Sequence, residues 1–326
     1  MPSFSVHQPA TVADAVALRA ELPDAMYVAG GTDLLPNLKH ELHHPQHLVS
    51  LACIDGLRGV ARDADGTLRI GACTTLHAVA TDGVVGAEVP ALSLAAASVA
   101  GPQHRRMGTL GGNVMLDTRC LFYNQSSQWR TALGACLKAE GSWCHVIGST
   151  KGCVAAQSSD TVPVLHALDA RIAVALPGGA TDEVPLRGLW TKDGRFDQNK
   201  TLPAGALVTA IVIPPRPPGH RGTYRKVRAR AAVDFPQLGV AAVGAFEGGV
   251  CTALEVVLGA MLPHPKAVDG LGFAIGTRLE DDVIERVADQ AYRQARPQTQ
   301  LHGEPSWRRH LARVETRRAI EALRAS

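Results

Sequence analysis

Four of the seven cysteines fall in one stretch, CLFYNQSSQWRTALGACLKAEGSWCHVIGSTKGC, from Cys120 to Cys153, while Cys53, Cys73 and Cys251 stand alone. Cys120, Cys136, Cys144 and Cys153 follow the spacing C-x15-C-x7-C-x8-C. Four thiolates can complete the outer ligand of every iron in a cubane cluster. Zinc also takes four thiolates, but its structural sites usually pair them in short C-x-x-C knuckles, and no such pair occurs here. Disulfides are the third reading. A chain of 326 residues does not need them for want of a core, and no charged segment followed by an apolar one opens it. Reduced thiolates holding a metal group are the expectation, with zinc and disulfides left open.

Two glycine turns carry a second kind of chemistry. In AGGTD, residues 29–33, the glycines let a ligand come close to the backbone, and the N–H groups that open the following helix can hold a pyrophosphate. TLGGN, residues 109–113, offers a second such cradle, with a side-chain amide from Asn113. Neither turn is G-x-G-x-x-G or G-x-x-x-x-G-K-[ST], so no Rossmann or P-loop fold is expected. A single double glycine is ordinarily a tight turn. Two of them fit one extended dinucleotide held between two lobes.

The elements that must position these groups read as a mixture. MYVAGGTDLLPNLKHEL is a strand, a glycine turn and a helix capped by Thr32 or Asp33. RGVARDADGTLRIGA is a hairpin about Asp65-Gly66, PALSLAAASVAG a small-residue helix, and DTVPVLHALDARIAVAL a helix followed by a strand. IPPRPPGHRG reads as a linker, after which LGVAAVGAF and TALEVVLGAM are strand-like and the rest is helical. The arginines of SWRRHLARVETRRAIEALR read as a solvated helix face or a subunit contact. A formal charge of +3, with no basic stripe interleaved with aromatics, gives no reason to expect nucleic acid. No apolar run is long enough to span a bilayer, so no membrane and a cytoplasmic location are expected.

In their order, VAGGTDLLPNLK, IGACTTLHAV, GPQHRRMGTLGGNV, SSDTVPVLHALDARI, YRKVRARAAVDFPQLGVAA and SWRRHLARVETRRAIEAL resemble the FAD-binding subunits of molybdenum hydroxylases, the xanthine dehydrogenase and carbon monoxide dehydrogenase group. The resemblance runs over nearly the whole chain. It implies an α+β fold with a two-lobed FAD-binding domain of that flavoprotein type and a C-terminal α+β domain. The lobes are expected at residues 1–55 and 56–215, the second carrying a cysteine-bearing insertion at about 115–158, with the C-terminal domain at 216–326. Carried over residue by residue, it places FAD, held noncovalently, on Ala29, Gly30, Gly31, Thr32, Asp33 and Leu34 and on Thr109, Leu110, Gly111, Gly112 and Asn113. Asp160 matches an acidic residue associated with FAD, although a helix cap would use the same residue type. Tyr224 and Lys226 stand where the third domain begins, either near the flavin ring or facing solvent.

Related sequences pass from the Gly-Gly-Asn turn to the Ser-Asp segment within about ten residues, whereas roughly forty extra ones lie here between Val114 and Ser159. A cysteine-bearing insertion at this point resembles that of the branch which removes a phenolic hydroxyl from aromatic CoA thioesters, where it carries a 4Fe-4S cluster. The resemblance therefore implies a 4Fe-4S cluster on Cys120, Cys136, Cys144 and Cys153; Trp129, Leu133, Leu137 and Trp143, apolar residues of the same loop, are read as buried around it. It further implies ferredoxin as electron donor, a molybdenum pterin on a large partner subunit and 2Fe-2S centres on a small one, in a dimer of heterotrimers. Substrate chemistry would then lie in a partner subunit and no catalytic residue in this chain. Two other classes stay open: the FAD subunit of an aerobic hydroxylase of the purine or carbon monoxide type, and a non-redox FAD module with structural zinc.

Overall fold

The computed structural model describes residues 3–325. The chain opens with β1 (Ser5–His7), α1 (Val12–Glu21), β2 (Ala25–Val28), α2 (Leu34–Lys39) and β3 (His47–Ser50), whose strands pair in parallel in the order β1-β3-β2. Thr11 starts α1 by accepting the N–H of Asp14 on its hydroxyl at 3.1 Å. Ala15 and Val16 of that helix then pack on Val49, Leu51 and Ile54. The β2-to-α2 connection is the first glycine turn, and Gly31 takes φ +69° there, a conformation that costs other residues strain.

A hairpin follows, β4 (Val60–Arg62) and β5 (Leu68–Gly71), with Gly66 at φ +86° in its turn. Four helices, α3 (Leu76–Thr81), α4 (Gly83–Glu88), α5 (Pro90–Ser98) and α6 (Pro102–Met107), lead to the second glycine turn, which itself forms α7 (Leu110–Val114). The cysteine segment contributes α8 (Ser127–Leu133). Beyond it, α9 (Thr161–Ala167) precedes β6 (Arg171–Ala175), β7 (Thr181–Pro185) and β8 (Leu207–Ile213), which complete an antiparallel sheet of order β4-β5-β8-β6-β7. Ile70, Leu92, Leu110, Leu165, Ile172 and Ile211 fill the core between that sheet and the helices.

The last sheet is an antiparallel meander of β9 (His220–Val227), β10 (Leu238–Glu247), β11 (Val250–Gly259) and β12 (Lys266–Ala267), covered by α10 (Asp281–Gln294) and α11 (Pro305–Ala325). Successive side chains of a strand point to opposite faces. Leu238, Val240 and Ala242 of β10 pack toward Val287, Ala319 and Ile320 of the helices, while Ala241 and Val243 join the core of the preceding sheet. Both faces of β10 are therefore buried, which is why LGVAAVGAF shows no polar alternation.

The arginine-rich helix departs from the solvated face expected of it. Arg313 pairs with Glu285 and Asp289, and Arg324 with Asp281, so part of that face ties α11 to α10. Arg308 is fully buried, its guanidinium donating to the backbone carbonyls of Gln237, Gln298 and Ala260. Among the described residues no helix is long and apolar enough to cross a membrane.

Candidate functional site

The two glycine turns open on one cleft of about 680 Å³. Ala29 through Leu34 line it from one side, Thr109, Gly111, Gly112 and Asn113 from another, and Asp160 from a third. Leu110 does not reach the cleft; it is buried in the core behind it.

The first turn keeps its donors free. Among the described residues, none of the backbone N–H groups from Gly30 to Leu34 finds an acceptor in the chain. Buried or half-buried donors of this kind need a partner, and an anionic ligand is one. Asp33 stands at the start of α2 but its carboxylate does not cap the helix. It is ion-paired with Arg119 instead, and it accepts the side-chain N–H of Asn37 at 2.9 Å.

The second turn differs from the backbone cradle expected of it. Leu110 donates to the carbonyl of Thr74 at 2.9 Å, Gly111 to that of Ala72 at 2.8 Å, and Gly112 to the hydroxyl of Thr109 at 3.1 Å. Its donors are spent inside the protein. The glycines serve close packing, since a Cβ on Gly111 would stand 2.7 Å from that of Ala72. What this turn offers the cleft is Asn113, whose Oδ1 accepts the hydroxyls of Ser159 at 2.6 Å and Thr161 at 2.7 Å, leaving its Nδ2 without a hydrogen-bond partner among the described residues.

Asp160, Tyr224 and Lys226 are brought together by the tertiary fold. The Asp160 carboxylate accepts the Tyr224 hydroxyl at 2.8 Å and the Lys226 ammonium at 2.8 Å, and Lys226 also donates to the carbonyl of Ser98 at 3.1 Å. Asp160 occupies the cap position of α9 without making a cap hydrogen bond. Tyr224 is buried and the Lys226 side chain is only 5% exposed, so neither faces solvent, and neither lines the cleft. Burial pushes the Asp160 carboxyl up and the Lys226 ammonium down, and the ion pair between them opposes both shifts. Because β9 belongs to the last sheet and α9 to the one before it, this network ties the two together behind the cleft.

Among the described residues, four buried polar atoms in the cleft wall have no hydrogen-bond partner: His104 Nδ1, Asp117 Oδ2, Arg119 Nε and Asn124 Nδ2. Each such atom costs about 1–3 kcal/mol unless something meets it. Together with the free N–H groups of the first turn, they fit a large polar ligand with an anionic centre, as FAD is. Asp117, Arg119 and Asn124 were missed in the sequence. They stand in the stretch DTRCLFYN, next to the first cysteine, and polar side chains at the mouth of a ligand-holding loop were the only signal.

Backbone hydrogen bonds of 2.8 Å in both directions between Arg119 and Ala156 close the stem of the cysteine segment. Within it Cys120, Cys136, Cys144 and Cys153 are all buried, all free of disulfides, and all line one small cavity. Burial pushes the Cys120 thiol up to about 12 and the Cys153 thiol up to about 11, with the other cysteines adding to the effect. A metal group would have to displace those protons. Among the described residues, no three His, Cys, Asp or Glu side chains gather tightly enough to hold a metal ion. A single ion needs every sulfur within its own bond length, whereas a cubane gives each thiolate its own iron. Four cysteines on one cavity match the ligand count of either group. The hydrophobic shell expected around it is corrected in part: Leu137 lines the cavity but is half-buried, whereas Trp129, Leu133 and Trp143 are 40%, 43% and 48% exposed, and Tyr123, Phe122, Val146 and Ala155 complete the wall.

Residues 2–216 match the family model of the FAD binding domain in molybdopterin dehydrogenase, and residues 222–323 that of the CO dehydrogenase flavoprotein C-terminal domain. The chain is 33% identical over 249 residues to the aldehyde oxidoreductase FAD-binding subunit PaoB of Escherichia coli K12, covering 74% of this chain and 78% of that one. It is 28% identical over 325 residues to the xanthine dehydrogenase FAD-binding subunit of Escherichia coli O157:H7, with 99% and 97% covered. Among solved structures, a chain of Cu,Mo-CO dehydrogenase in its cyanide-inactivated form superposes with a TM-score of 0.81 at 28% identity, covering 100% of this chain and 99% of that one. The chain belongs to the FAD-binding subunits of the molybdenum hydroxylases, the xanthine dehydrogenase and carbon monoxide dehydrogenase family, and is an oxidoreductase subunit.

Proposed function

We propose that this chain is the flavin and iron–sulfur electron-transfer subunit of a molybdenum hydroxylase, holding FAD in the cleft and a 4Fe-4S cluster on Cys120, Cys136, Cys144 and Cys153. The observation that carries this reading is the convergence of four buried, unbridged cysteines on one cavity beside the cleft. Bound FAD exchanges electrons in pairs with one partner and singly with another, so it couples two-electron chemistry to iron–sulfur carriers. This chain's own part is to hold both groups in fixed positions and keep water from the thiolates. The molybdenum pterin is assigned to a large partner subunit and the 2Fe-2S centres to a small one, in a dimer of heterotrimers in the cytoplasm. The relatives' names as FAD-binding subunits support such a division.

Those names also favour a direction. Aldehyde oxidoreductase, xanthine dehydrogenase and CO dehydrogenase are oxidative enzymes, so electrons would leave the substrate at molybdenum and flow outward through this chain. The second reading is the reverse flow of a 4-hydroxybenzoyl-CoA reductase, with ferredoxin delivering single electrons to the cluster. The cysteine insertion favours it, because an added cluster gives one-electron donors an entry port.

Composition and turnover of the purified complex separate the cases. Iron and acid-labile sulfide beyond the 2Fe-2S content are expected, and Cys136→Ala should remove that excess and the cubane paramagnetic signal while FAD stays bound. Zinc in its place, or unchanged iron in all four single cysteine variants, would overturn the cluster. Oxidation of an aldehyde or purine with an artificial acceptor supports outward flow. Release of benzoyl-CoA from 4-hydroxybenzoyl-CoA with reduced ferredoxin supports the reverse.

A further inference from the structure

The wall between the cysteine cavity and the flavin cleft contains a buried ion pair. Lys138 lines the cysteine cavity, and its side chain is fully buried. Its ammonium donates to Asp117 Oδ1 at 2.7 Å and to the carbonyl of Thr118 at 2.8 Å, and lies 4.6 Å from the centre of the Tyr123 ring. Asp117 lines the flavin cleft, with Oδ2 buried and without a hydrogen-bond partner among the described residues. Two further basic groups face Asp117 from the cleft side. His43 approaches its Oδ2 at 4.0 Å, and half-buried Lys200 donates to the neighbouring carbonyl of Leu116 at 3.3 Å.

A helix-surface lysine would be solvated and nearly free. This one has lost all its water, which costs several kcal/mol before its partners offset the loss. Arginine or a neutral residue could also fill space, so a stripped ammonium beside four thiolates calls for an electrostatic account. In a medium of low effective dielectric, a fixed charge within a few ångströms acts far more strongly than at the surface. Lys138 lines the same cavity as all four cysteines, so its charge and theirs share one site from which water is excluded.

We propose that Lys138 is the counter-charge of the cysteine cavity, setting how readily the group held there accepts an electron, with Asp117 as the opposing charge on the flavin side. This rests on the cluster reading above. One electron from a one-electron donor adds one negative charge to the cavity, takes up no proton, and makes or breaks no bond. The positive charge of Lys138 favours that reduced state, and the negative charge of Asp117 disfavours it. Both are positioning residues, since neither transfers the electron.

The test is a mediated dithionite titration of the purified complex, followed by the cubane paramagnetic signal. In Lys138→Met the one-electron reduction constant should fall at least tenfold, about 59 mV lower. Lys138→Arg should restore most of it, and Asp117→Asn should shift it the other way. Iron, sulfide and flavin contents are measured on every variant. Cluster-loaded Lys138→Met with the wild-type potential overturns the proposal. If that variant cannot hold iron, Asp117→Asn decides, and an unshifted potential there overturns it. Wild-type complex without the cluster overturns the functional reading itself, which is a distinct result.

Discussion

Replacing Asp160 by alanine is expected to destabilise the chain by about 3–5 kcal/mol, because it strands the Lys226 ammonium in a site from which water is excluded. The carboxylate is 3% exposed and serves two partners at once, Tyr224 and Lys226, both on β9. Its loss therefore weakens the tie between the last sheet and α9 as well as leaving a charge unpaired. Denaturant unfolding, followed by far-ultraviolet circular dichroism, reads the effect. Asp160→Asn should cost less, since an amide still meets the tyrosine hydroxyl. The double variant Asp160→Ala with Lys226→Met should be more stable than Asp160→Ala alone, because the stranded charge is gone. Equal midpoints for wild type and Asp160→Ala would show that the pair contributes nothing. Flavin content of the same samples should fall too, as Asp160 also lines the cleft.

Gly30→Val is expected to remove most of the bound flavin while leaving the rest of the chain folded. A Cβ at position 30 would run into the backbone carbonyl of Met107, which no rotamer change can move aside. The first turn must then swing away from α6, and its free N–H groups leave the positions from which they face the cleft. Gly56→Ala is the control, because a Cβ there meets nothing within 4 Å. Flavin per chain after gel filtration is the measurement, and full occupancy in a folded Gly30→Val would remove the first turn from the site. Gly111→Ala carries a different meaning from the one its sequence implied. Its Cβ would strike Ala72, so it should lower stability first and flavin occupancy only through that loss.

The hairpin about Gly66 was legible because turn type and alternation are local properties. The cysteine count and the absence of paired knuckles are likewise properties of the sequence alone, and they point to a cluster ahead of a zinc knuckle. The hydrophobic shell was misread for a physical reason. Trp129, Leu133 and Trp143 were assigned inward on hydrophobicity alone, but single apolar residues are common at protein surfaces, and the segment is too short to bury them all. Lys138 was invisible for the opposite reason, since a lysine is the residue type least expected in a core.

By itself the sequence determined which residue types are present, their spacing, and the ordered motifs that mark the family. It determined helix and strand segments wherever the deciding interactions span a few residues. The tertiary structure decided partners. Asp160 lies 64 and 66 residues from Tyr224 and Lys226, and whether it caps its own helix or binds them depends on how β9 is placed against α9. The same holds for the second glycine turn, whose donors look free until Thr74 and Ala72 are seen to accept them. A backbone N–H or a carboxylate carries the same chemistry in every conformation. What it binds is set by which acceptor or donor the packed sheets bring within about 3 Å, and sequence neighbours do not fix that.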